Sequence, residues 1–379
     1  MAQALEAIRR QGRSILDLTG SNPTRAGFVY PSDILQAFAD PSILAYQPSP
    51  AGLAVAREAV ARYYAARGAR VEPGRILLTA STSEGYAYLF KLLADPGDHL
   101  LVPRPSYPLF EHLAAMESVA VRQYPLLYHS GWAIDLAALD GAITQRTRAI
   151  VVVHPNNPTG GFVKAPELCA IAEICARHHL ALISDEVFFD YPFALDVERA
   201  SNRAATLAGV EDCLVFCLSG LSKIAGLPQM KLGWIVCAGP PRVRDEAMEK
   251  LEWIADTYLS VGTPVQTAAA RLLRAGDLVR QQIRERTAAN LAVAREALAG
   301  SEATILAVEG GWYITVQVPR TRSEEEWALD LLQRRGVLVQ PGFFYDFESE
   351  AYLVLSLLSG LEVFREGLTR LREAVRPGS

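Results

Sequence analysis

The chain has 379 residues, half of them hydrophobic, so it contains ample apolar material for a large core, and its length favours two domains over one. Its 37 basic and 42 acidic residues leave a net charge of −5, without the excess of Lys and Arg that nucleic acids or anionic membranes attract. No long polar tract and no sustained heptad pattern occurs, which excludes disorder and coiled coil as the main architecture.

The cysteines and the N-terminus indicate the compartment. The five cysteines are an odd number and none forms a CxxC pair, so we expect neither disulfides nor structural zinc, but small core residues in a reducing environment. Residues 1–18 carry Glu6, Arg9, Arg10 and Arg13 where a signal peptide would need an apolar run, and no stretch of 18 apolar residues occurs. We therefore expect a cytoplasmic protein that does not cross a membrane.

The middle of the chain alternates strand and helix patterns. Seven short apolar runs predict strands, at 76–79, 99–102, 119–124, 149–153, 181–185, 214–218 and 232–237. Helical patterns, including 84–93 and 166–178, lie between several of them. Continuous apolar strands separated by helices are typical of a parallel sheet covered on both faces. We therefore predict a large α/β domain over residues 46–275, built on a mostly parallel seven-stranded sheet.

Towards the C-terminus the pattern changes to long helices and then to mixed elements. Helical periodicity covers 266–274 and 278–298, and strand patterns at 311–318 and 352–357 alternate with helical patterns at 323–335 and 362–375. These elements predict a smaller α+β domain, formed by residues 276–379 together with residues 1–45. The boundary near residue 275 falls within a helical pattern.

Polar residues follow the predicted strands at the end where open α/β sheets bind their ligands. Thr82 and Ser83 follow the first strand at a helix start, which suits a phosphate or simply caps the helix. Tyr107 follows the second strand, where its ring can stack on a flat heterocycle or pack as an ordinary loop residue. Asn157 follows the fourth strand, in the stretch 154–160 that is more specific than a turn requires, and its amide can donate to a ring hydroxyl.

Ionisable side chains stand near the last three strands. Asp185 ends the fifth strand, where a buried carboxylate needs a cation or a metal as its partner. Ser222 and Lys223 follow the sixth strand, and Lys231 precedes the seventh. Considered singly, Asp185 would be a salt-bridged carboxylate, and Lys223 and Lys231 would be ordinary surface lysines.

Taken together, the residues at these strand ends fit one ligand, pyridoxal 5′-phosphate. A lysine amine can form a Schiff base with its aldehyde, and a carboxylate can keep its pyridine nitrogen protonated, so that the ring acts as an electron sink. An asparagine can hold the ring hydroxyl, a tyrosine can cover the ring, and a helix start with a serine and a lysine can bind the phosphate. Five such elements in order on successive strands predict a pyridoxal phosphate site.

The sequence resembles the class I and II aminotransferases, which are fold type I pyridoxal phosphate enzymes, over nearly its whole length. The motifs that carry the resemblance are Ser21-Asn22-Pro23, Tyr46…Gly52…Arg57, Asn157-Pro158-Thr159-Gly160, Ser184-Asp185-Glu186 and Ser222-Lys223. The intervals also agree, with 28 residues from Asn157 to Asp185, 38 from there to Lys223, and 8 more to Lys231.

The resemblance implies a role for each of these residues. Lys223 would carry the cofactor as a Schiff base, Asp185 would face the pyridine nitrogen, Asn157 would hold the ring oxygen and Tyr107 would stack on the ring. The residues implied in phosphate binding are Thr82, Ser83, Ser222, Lys231 and, from the neighbouring subunit of a homodimer with shared active sites, Tyr46.

The activity implied by the resemblance is ping-pong transamination. An amino acid or amine donor would displace Lys223, and the freed lysine would move a proton between the substrate and the cofactor. A 2-keto acid would then accept the amino group. The alternatives are a pyridoxal phosphate-dependent lyase, decarboxylase or oxidase on the same fold and, as a different class, a non-catalytic sensor that binds the cofactor.

Three cofactor-side positions depart from the family pattern. Phe188 stands where the family often has a tyrosine, so one hydrogen bond to the ring oxygen is lost. Gly220 stands where a serine is common. Lys231 stands where an arginine is usual, which keeps the charge but gives up a two-pronged phosphate contact.

A fourth departure affects the substrate side, where the resemblance places Ser21, Arg25 and Asn157. Val354 occupies the position of the arginine that binds the substrate carboxylate in this family, and a valine cannot replace two parallel hydrogen bonds. We expect Arg25, or in second place Arg104, to bind the anionic group instead.

Overall fold

The computed structural model describes residues 1–194, 201–349 and 351–376. In these ranges the α-helices are α1 (Ala2–Arg10), α2 (Ala54–Ala65), α3 (Thr82–Leu93), α4 (Leu109–Met116), α5 (Leu136–Gly141), α6 (Ala165–His178), α7 (Leu221–Ile224), α8 (Pro241–Tyr258), α9 (Thr263–Leu298), α10 (Glu324–Arg335) and α11 (Leu361–Ala374). Short 3₁₀ helices span Pro23–Arg25, Ser32–Phe38, Pro41–Leu44, Pro73–Arg75, Leu207–Gly209, Pro228–Met230 and Gly342–Tyr345.

The strands fall into three sheets. They are β1 (Leu16–Asp17), β2 (Ile76–Thr79), β3 (His99–Arg104), β4 (Ala120–Tyr128), β5 (Trp132–Ile134), β6 (Thr147–Val153), β7 (Ala181–Asp185), β8 (Val215–Gly220), β9 (Gly233–Ala238), β10 (Thr304–Ile305), β11 (Tyr313–Gln317), β12 (Val337–Leu338), β13 (Gln340–Pro341) and β14 (Tyr352–Ser356).

The largest sheet has the strand order β2-β9-β8-β7-β6-β3-β4-β5. Its centre is parallel, and β9 and β5 run antiparallel to their neighbours. The predicted α/β class with a mostly parallel sheet is confirmed. The sheet has eight strands rather than seven, because β5 forms a short hairpin partner for β4, and three residues are too few to produce a periodic pattern.

The central strands are apolar throughout because both faces of the sheet are covered. In β6, Ile150 and Val152 point into one hydrophobic cluster, and Ala149, Val151 and Val153 point into another on the opposite face. This alternation follows from the two-residue repeat of a strand. Helices from both sides bury the two faces, so every ligand must approach at a strand end.

A smaller sheet, in the order β10-β11-β14-β13, packs with α10 and α11 around its own hydrophobic cluster. The 36-residue helix α9 links the two parts, because Leu272 lies in the cluster of the large sheet and Leu291 in that of the small one. Ile34 and Ala37, from the N-terminal segment, also pack in the cluster of the large sheet. The domain division near residue 275 therefore falls inside α9 and stays a prediction.

Two expectations about composition can be compared with the structure. All five cysteines are free and four are buried, but Cys169 is exposed because it lies on the solvent face of the amphipathic helix α6. The expectation of core positions was wrong for that residue. Within the three described ranges, no helix is both long enough and apolar enough to cross a bilayer.

Candidate active site

The parallel centre of the large sheet brings the main predicted residues to one edge. Asp185, the last residue of β7, is paired in register with both β6 and β8, so the carboxyl ends of these three strands coincide. Asn157 follows β6 and Lys223 follows β8. Tyr107 follows β3, which is the next strand beyond β6.

The antiparallel strand β9 adds residues to the same edge. Thr79, at the end of β2, is paired with Gly233, at the start of β9. The segment after β2, with Thr82 and Ser83, and the segment before β9, with Lys231, therefore meet there. Two strands of opposite direction thus bring together residues that are about 150 positions apart in the sequence.

The start of α3 is shaped to accept an anion. The Ser81 hydroxyl accepts from the Glu84 N–H at 3.1 Å and caps the helix. The N–H groups of the first turn, which include those of Thr82 and Ser83, have no intrahelical partner. A Cβ atom on Gly233 would lie 3.2 Å from the Thr82 nitrogen, so the glycine keeps this approach open. Exposed N–H groups at a helix start favour a bound phosphate.

Asp185 is a half-buried carboxylate with two hydrogen bonds. Tyr86 Oη donates to its Oδ2 at 3.0 Å, and the backbone N–H of Val187 donates to its Oδ1 at 3.1 Å. Burial raises the pKa of Asp185 to about 6, although both hydrogen bonds and the charge of Lys223 favour the ionised form. A cation that entered the site next to this carboxylate would lower its pKa again.

Lys223 lies on the single turn α7, against aromatic rings. Its Nζ lies 5.3 Å from the centre of the Trp312 ring and 5.9 Å from that of Phe188. Burial lowers the pKa of the Lys223 amine, and the negative charge of Asp185 only partly opposes this effect. A larger fraction of the amine is therefore neutral than in a surface lysine, and a neutral amine can act as a nucleophile or a base.

Asn157 is buried with unused hydrogen-bonding capacity. Among the described residues its Oδ1 has no hydrogen-bond partner, whereas the preceding Asn156 accepts from the Thr159 hydroxyl at 2.9 Å. A buried amide without a partner costs free energy in the unliganded protein. The side chain of Asn157 is therefore available to a ligand, and that of Asn156 stabilises the turn.

Val354 is fully buried in a cluster of aromatic and aliphatic side chains. The residues of this cluster, here called the aromatic wall, are Phe188, Tyr191, Val279, Ile283, Trp312, Tyr313, Tyr345, Val354 and Leu358. Arg286 reaches the edge of this wall, where its Nη1 donates to the Leu358 carbonyl at 3.4 Å, and the charges of Arg280 and Arg284 act on Tyr191. Val354 itself offers no donor to a carboxylate.

The N-terminal segment borders the same wall. Ser21 lies close enough to Tyr313 to affect the pKa of its hydroxyl, and Ala26 and Phe28 pack against the wall. Arg25 is exposed, and its guanidinium has no hydrogen-bond or ion-pair partner in the described ranges. Arg25 is thus a cation with free donors beside the substrate side that the sequence predicts.

Arg104, the second candidate for the anionic group, is already engaged. Its Nε donates to the Asp346 carbonyl at 2.8 Å, and it forms an ion pair with Glu348 at 3.4 Å. The backbone N–H of Ser106 donates to the Tyr345 carbonyl at 3.0 Å. The loop after β3 is therefore attached to the smaller sheet, and the next residue, Tyr107, stays 47% exposed at the mouth of the site.

Tyr46 and Lys231 differ from the other predicted phosphate ligands. Tyr46 is 76% exposed and lines a groove together with Leu259 and Thr263. Lys231 is exposed, with a left-handed backbone at φ 53°, between the 3₁₀ turn and β9. Ser222 lies one residue before Lys223 on α7, half-buried.

Sequence reasoning missed two residues that contact the centre of the site. Tyr86 hydrogen-bonds Asp185, and its position three residues after Ser83, on the same face of α3, is a signal that could have identified it. Trp312 covers the Lys223 amine from a different sheet. No local pattern marks this tryptophan, because its contact depends on how the two sheets pack together.

The chain matches proteins of known function over most of its length. The family described as aminotransferase class I and II matches residues 15–357. The glutamate-pyruvate aminotransferase AlaA of Escherichia coli is 34% identical over 264 residues, which cover 69% of this chain and 64% of that protein. The alanine aminotransferase of Mycobacterium tuberculosis is 31% identical over 266 residues, 69% of this chain and 60% of that protein. These matches thus span less than two thirds of either relative.

Solved structures extend the likeness to the whole chain. A single mutant of the aspartate aminotransferase of Thermus thermophilus superposes with a TM-score of 0.84 at 26% identity, and the match covers 98% of this chain and 94% of that one. The sheet order, the strand-end residues and the family match agree with one another. The chain therefore belongs to the class I and II aminotransferase family.

Proposed function

We propose that the protein is a pyridoxal phosphate-dependent aminotransferase that moves an amino group from an amino acid or amine to a 2-keto acid. The observation that carries the proposal is the convergence of Asn157, Asp185 and Lys223 at one edge of the parallel sheet. The relatives named above are aminotransferases, which favours transamination over the lyase, decarboxylase and oxidase alternatives.

The residues of the site suit pyridoxal phosphate. In the part of the chain that the structure describes, the Oδ1 atom of the buried Asn157 amide has no hydrogen-bond partner, which supports a role in binding a ligand. The raised pKa of Asp185 indicates a carboxylate that lacks a full counter-charge, which a protonated ring nitrogen would supply. Thr82, Ser83, Ser222 and Lys231 would hold the phosphate, at the opening that the glycine at the start of β9 preserves.

When bound, pyridoxal phosphate supplies an electron sink for negative charge that develops on the substrate carbon. The protein would contribute orientation and proton transfer. Lys223 Nζ, with its lowered pKa, would take a proton from that carbon and return it elsewhere. Tyr86 would keep Asp185 in place, Asn157 would orient the ring, and Tyr107 would cover it at the mouth of the site.

The aromatic wall would exclude water from the reacting atoms. Phe188 and Trp312 are almost completely buried and pack edge to face at 5.2 Å beside the Lys223 amine. A dry site strengthens the attraction between the carboxylate of Asp185 and a cation. The tyrosine-to-phenylalanine departure at position 188 thus replaces a hydrogen bond with apolar packing.

Arg25 would bind the anionic group of the substrate. It is the arginine with free donors next to the segment that borders the aromatic wall, whereas Arg104 is engaged elsewhere. The printed names of the relatives suggest glutamate, alanine and pyruvate as the first substrates to test. Ser21 and Asn157 would complete the substrate side.

A second copy of the chain would complete the phosphate site. Tyr46 and Leu259 are large apolar side chains, exposed by 76% and 67%, that line one groove. Exposed apolar groups of this size, grouped at one place, mark an interaction surface. A homodimer that covers this groove would bring the Tyr46 hydroxyl to the phosphate of the neighbouring subunit.

The first test of the proposed function is Lys223→Ala. The variant should lose the visible absorbance that the protein gains with pyridoxal phosphate, and turnover should become undetectable, since general base catalysis alone contributes about 10²- to 10⁴-fold. The control Lys250→Ala removes an exposed lysine paired with Glu246 and should change neither property. Turnover that persists in Lys223→Ala would refute the assignment.

Asp185→Asn tests how much the half-buried carboxylate lowers the free energy of unfolding of the cofactor-free protein. Because the pKa is raised from 3.8 in the unfolded chain to about 6 in the folded one, the folded state holds the proton more tightly. The wild type therefore loses free energy of unfolding as the pH rises from 3.8 to about 6. Between pH 3.5 and pH 7, the free energy of unfolding of the variant should rise by about 3 kcal/mol relative to that of the wild type, as measured by urea unfolding.

Asp98→Asn is the matched control for that titration. Hydrogen bonds from Arg148 lower the pKa of Asp98, so its contribution to stability is present at neutral pH and is lost on acidification. As the pH rises, Asp98→Asn should lose stability relative to the wild type, whereas Asp185→Asn should gain it. Equal pH dependence in the two variants would contradict the role of burial at Asp185.

Arg25→Ala tests the anion-binding proposal. Loss of a charge-assisted contact should raise the KM for both the amino donor and the keto acid by about tenfold or more, with a smaller effect on kcat. The control Arg70→Ala removes another exposed arginine and should leave both constants unchanged. An Arg25→Ala enzyme with the kinetics of the wild type would exclude this role.

Leu259→Glu tests the dimer. Sedimentation of the wild type should give twice the chain mass of 41.3 kDa. A charge placed in the groove should shift the variant towards the monomer, because it would lie unpaired in the interface. The control Val363→Glu, on α11, should stay dimeric. A monomeric wild type would rule out shared active sites.

A further inference from the structure

The turn that carries Lys223 is held by side chains from three distant parts of the chain. Helix α7 has only four residues, too few to be stable without tertiary contacts. Tyr191 Oη donates to the Lys223 carbonyl at 2.5 Å, and Tyr30 Oη donates to the Gly226 carbonyl at 2.7 Å. Arg280 Nη1 donates to the Ile224 carbonyl at 3.3 Å. The turn is thus fixed through its backbone.

Asp190 organises one of these donors, Arg280. Its carboxylate receives two hydrogen bonds from Arg67, at 2.6 and 2.7 Å, and one from the hydroxyl of Tyr63 at 3.2 Å. Arg280 forms an ion pair with Asp190 at 3.4 Å and thereby links this carboxylate to the carbonyl of Ile224. Because Asp190 is buried and fully partnered, this network has little freedom to change its geometry.

Tyr191 connects the turn to the wall that covers the Lys223 amine. The tyrosine is buried, and its ring packs edge to face on Trp312 at 5.2 Å. Its carbonyl accepts from the N–H of Gly311 at 2.9 Å. Tyr191 therefore holds the backbone of Lys223 through its hydroxyl. Its ring holds the ring of Trp312, which lies beside the Lys223 amine.

Helix α9 brings Arg280 to the turn through a glycine. A Cβ atom on Gly276 would lie 2.4 Å from the Cβ of Ala225, so the absence of a side chain lets the helix pack directly on the segment after Lys223. Arg280 lies four residues later, on the same face of α9. The close approach and the arginine thus form one docking surface for the turn.

We propose that Asp190, Tyr191 and Arg280 are positioning residues that hold the Lys223 turn, so that its amine stays at the sheet edge between Phe188 and Trp312. Each acts through the backbone of the turn and reaches neither the substrate nor the cofactor. Their loss should therefore reduce kcat and leave the donor KM almost unchanged. This inference rests on the proposed role of Lys223 as the base.

Tyr191→Phe removes one hydroxyl and keeps the ring against Trp312. Amide hydrogen exchange of the full-length protein without cofactor should become about fivefold faster for residues 223–227, because one hydrogen bond of about 1 kcal/mol no longer opposes local opening. Tyr124→Phe is the matched control, since the buried Tyr124 hydroxyl donates to the Val151 carbonyl at 2.7 Å within the sheet. Exchange at 223–227 should be unchanged in that control.

The kinetic comparison uses the same two variants loaded with pyridoxal phosphate. Tyr191→Phe should lower kcat about tenfold or more with the donor KM within about threefold, since small displacements of a catalytic group are costly. Tyr124→Phe should retain the constants of the wild type. Unchanged exchange at 223–227, an unchanged kcat, or equal losses in both variants would each overturn the proposal.

Asp190→Asn keeps the test decisive if Tyr191→Phe does not fold. This isosteric change removes the charge that organises Arg280 and should accelerate exchange at 223–227 in the same way, while Asp98→Asn, in another Arg–Asp pair, should not. The exchange measurement needs neither cofactor nor turnover. Its failure is therefore distinct from failure of the proposed function, which Lys223→Ala reports.

Discussion

Asp185 and Lys223 are half-buried at the same edge of a parallel sheet, and the hydrogen bonds around them hold them in place. Burial raises the pKa of the acid and lowers that of the amine, so a larger fraction of each group is uncharged than would be on the surface. Each charge still favours the ionised form of the other. The site therefore combines a carboxyl group with a raised pKa and an amine with a lowered pKa, in a geometry that the fold must maintain.

The surrounding hydrogen bonds account for that geometry. Tyr86 and a backbone N–H hold the carboxylate, and the Asp190 network holds the turn that carries the amine. The two arrangements meet in one short segment, because Asp185 and Tyr191 are only six residues apart. Movement of this segment would therefore displace the acid and the lysine together.

In the proposed function the aromatic wall would separate cofactor binding from substrate selection. Its rings lie beside the lysine amine, and Val354 has no charge with which to bind a carboxylate. An anionic group would then be recognised at the rim, where Arg25 is exposed close to side chains that pack on the wall. A rim arginine is more strongly hydrated than a buried one, so it should discriminate less sharply among anionic substrates.

The sequence by itself determined the strands and the polar residues that follow them, and these residues predict the class of cofactor. These signals are local, because an apolar run, a helix cap and a lysine after a strand are each defined within a few residues. The tertiary structure alone decided which distant side chains support them. Tyr86 contacts Asp185 across 99 residues, and Arg280 contacts Ile224 across 56. Such contacts depend on the order of the strands and on the packing of α9, and local sequence periodicity predicts neither of these.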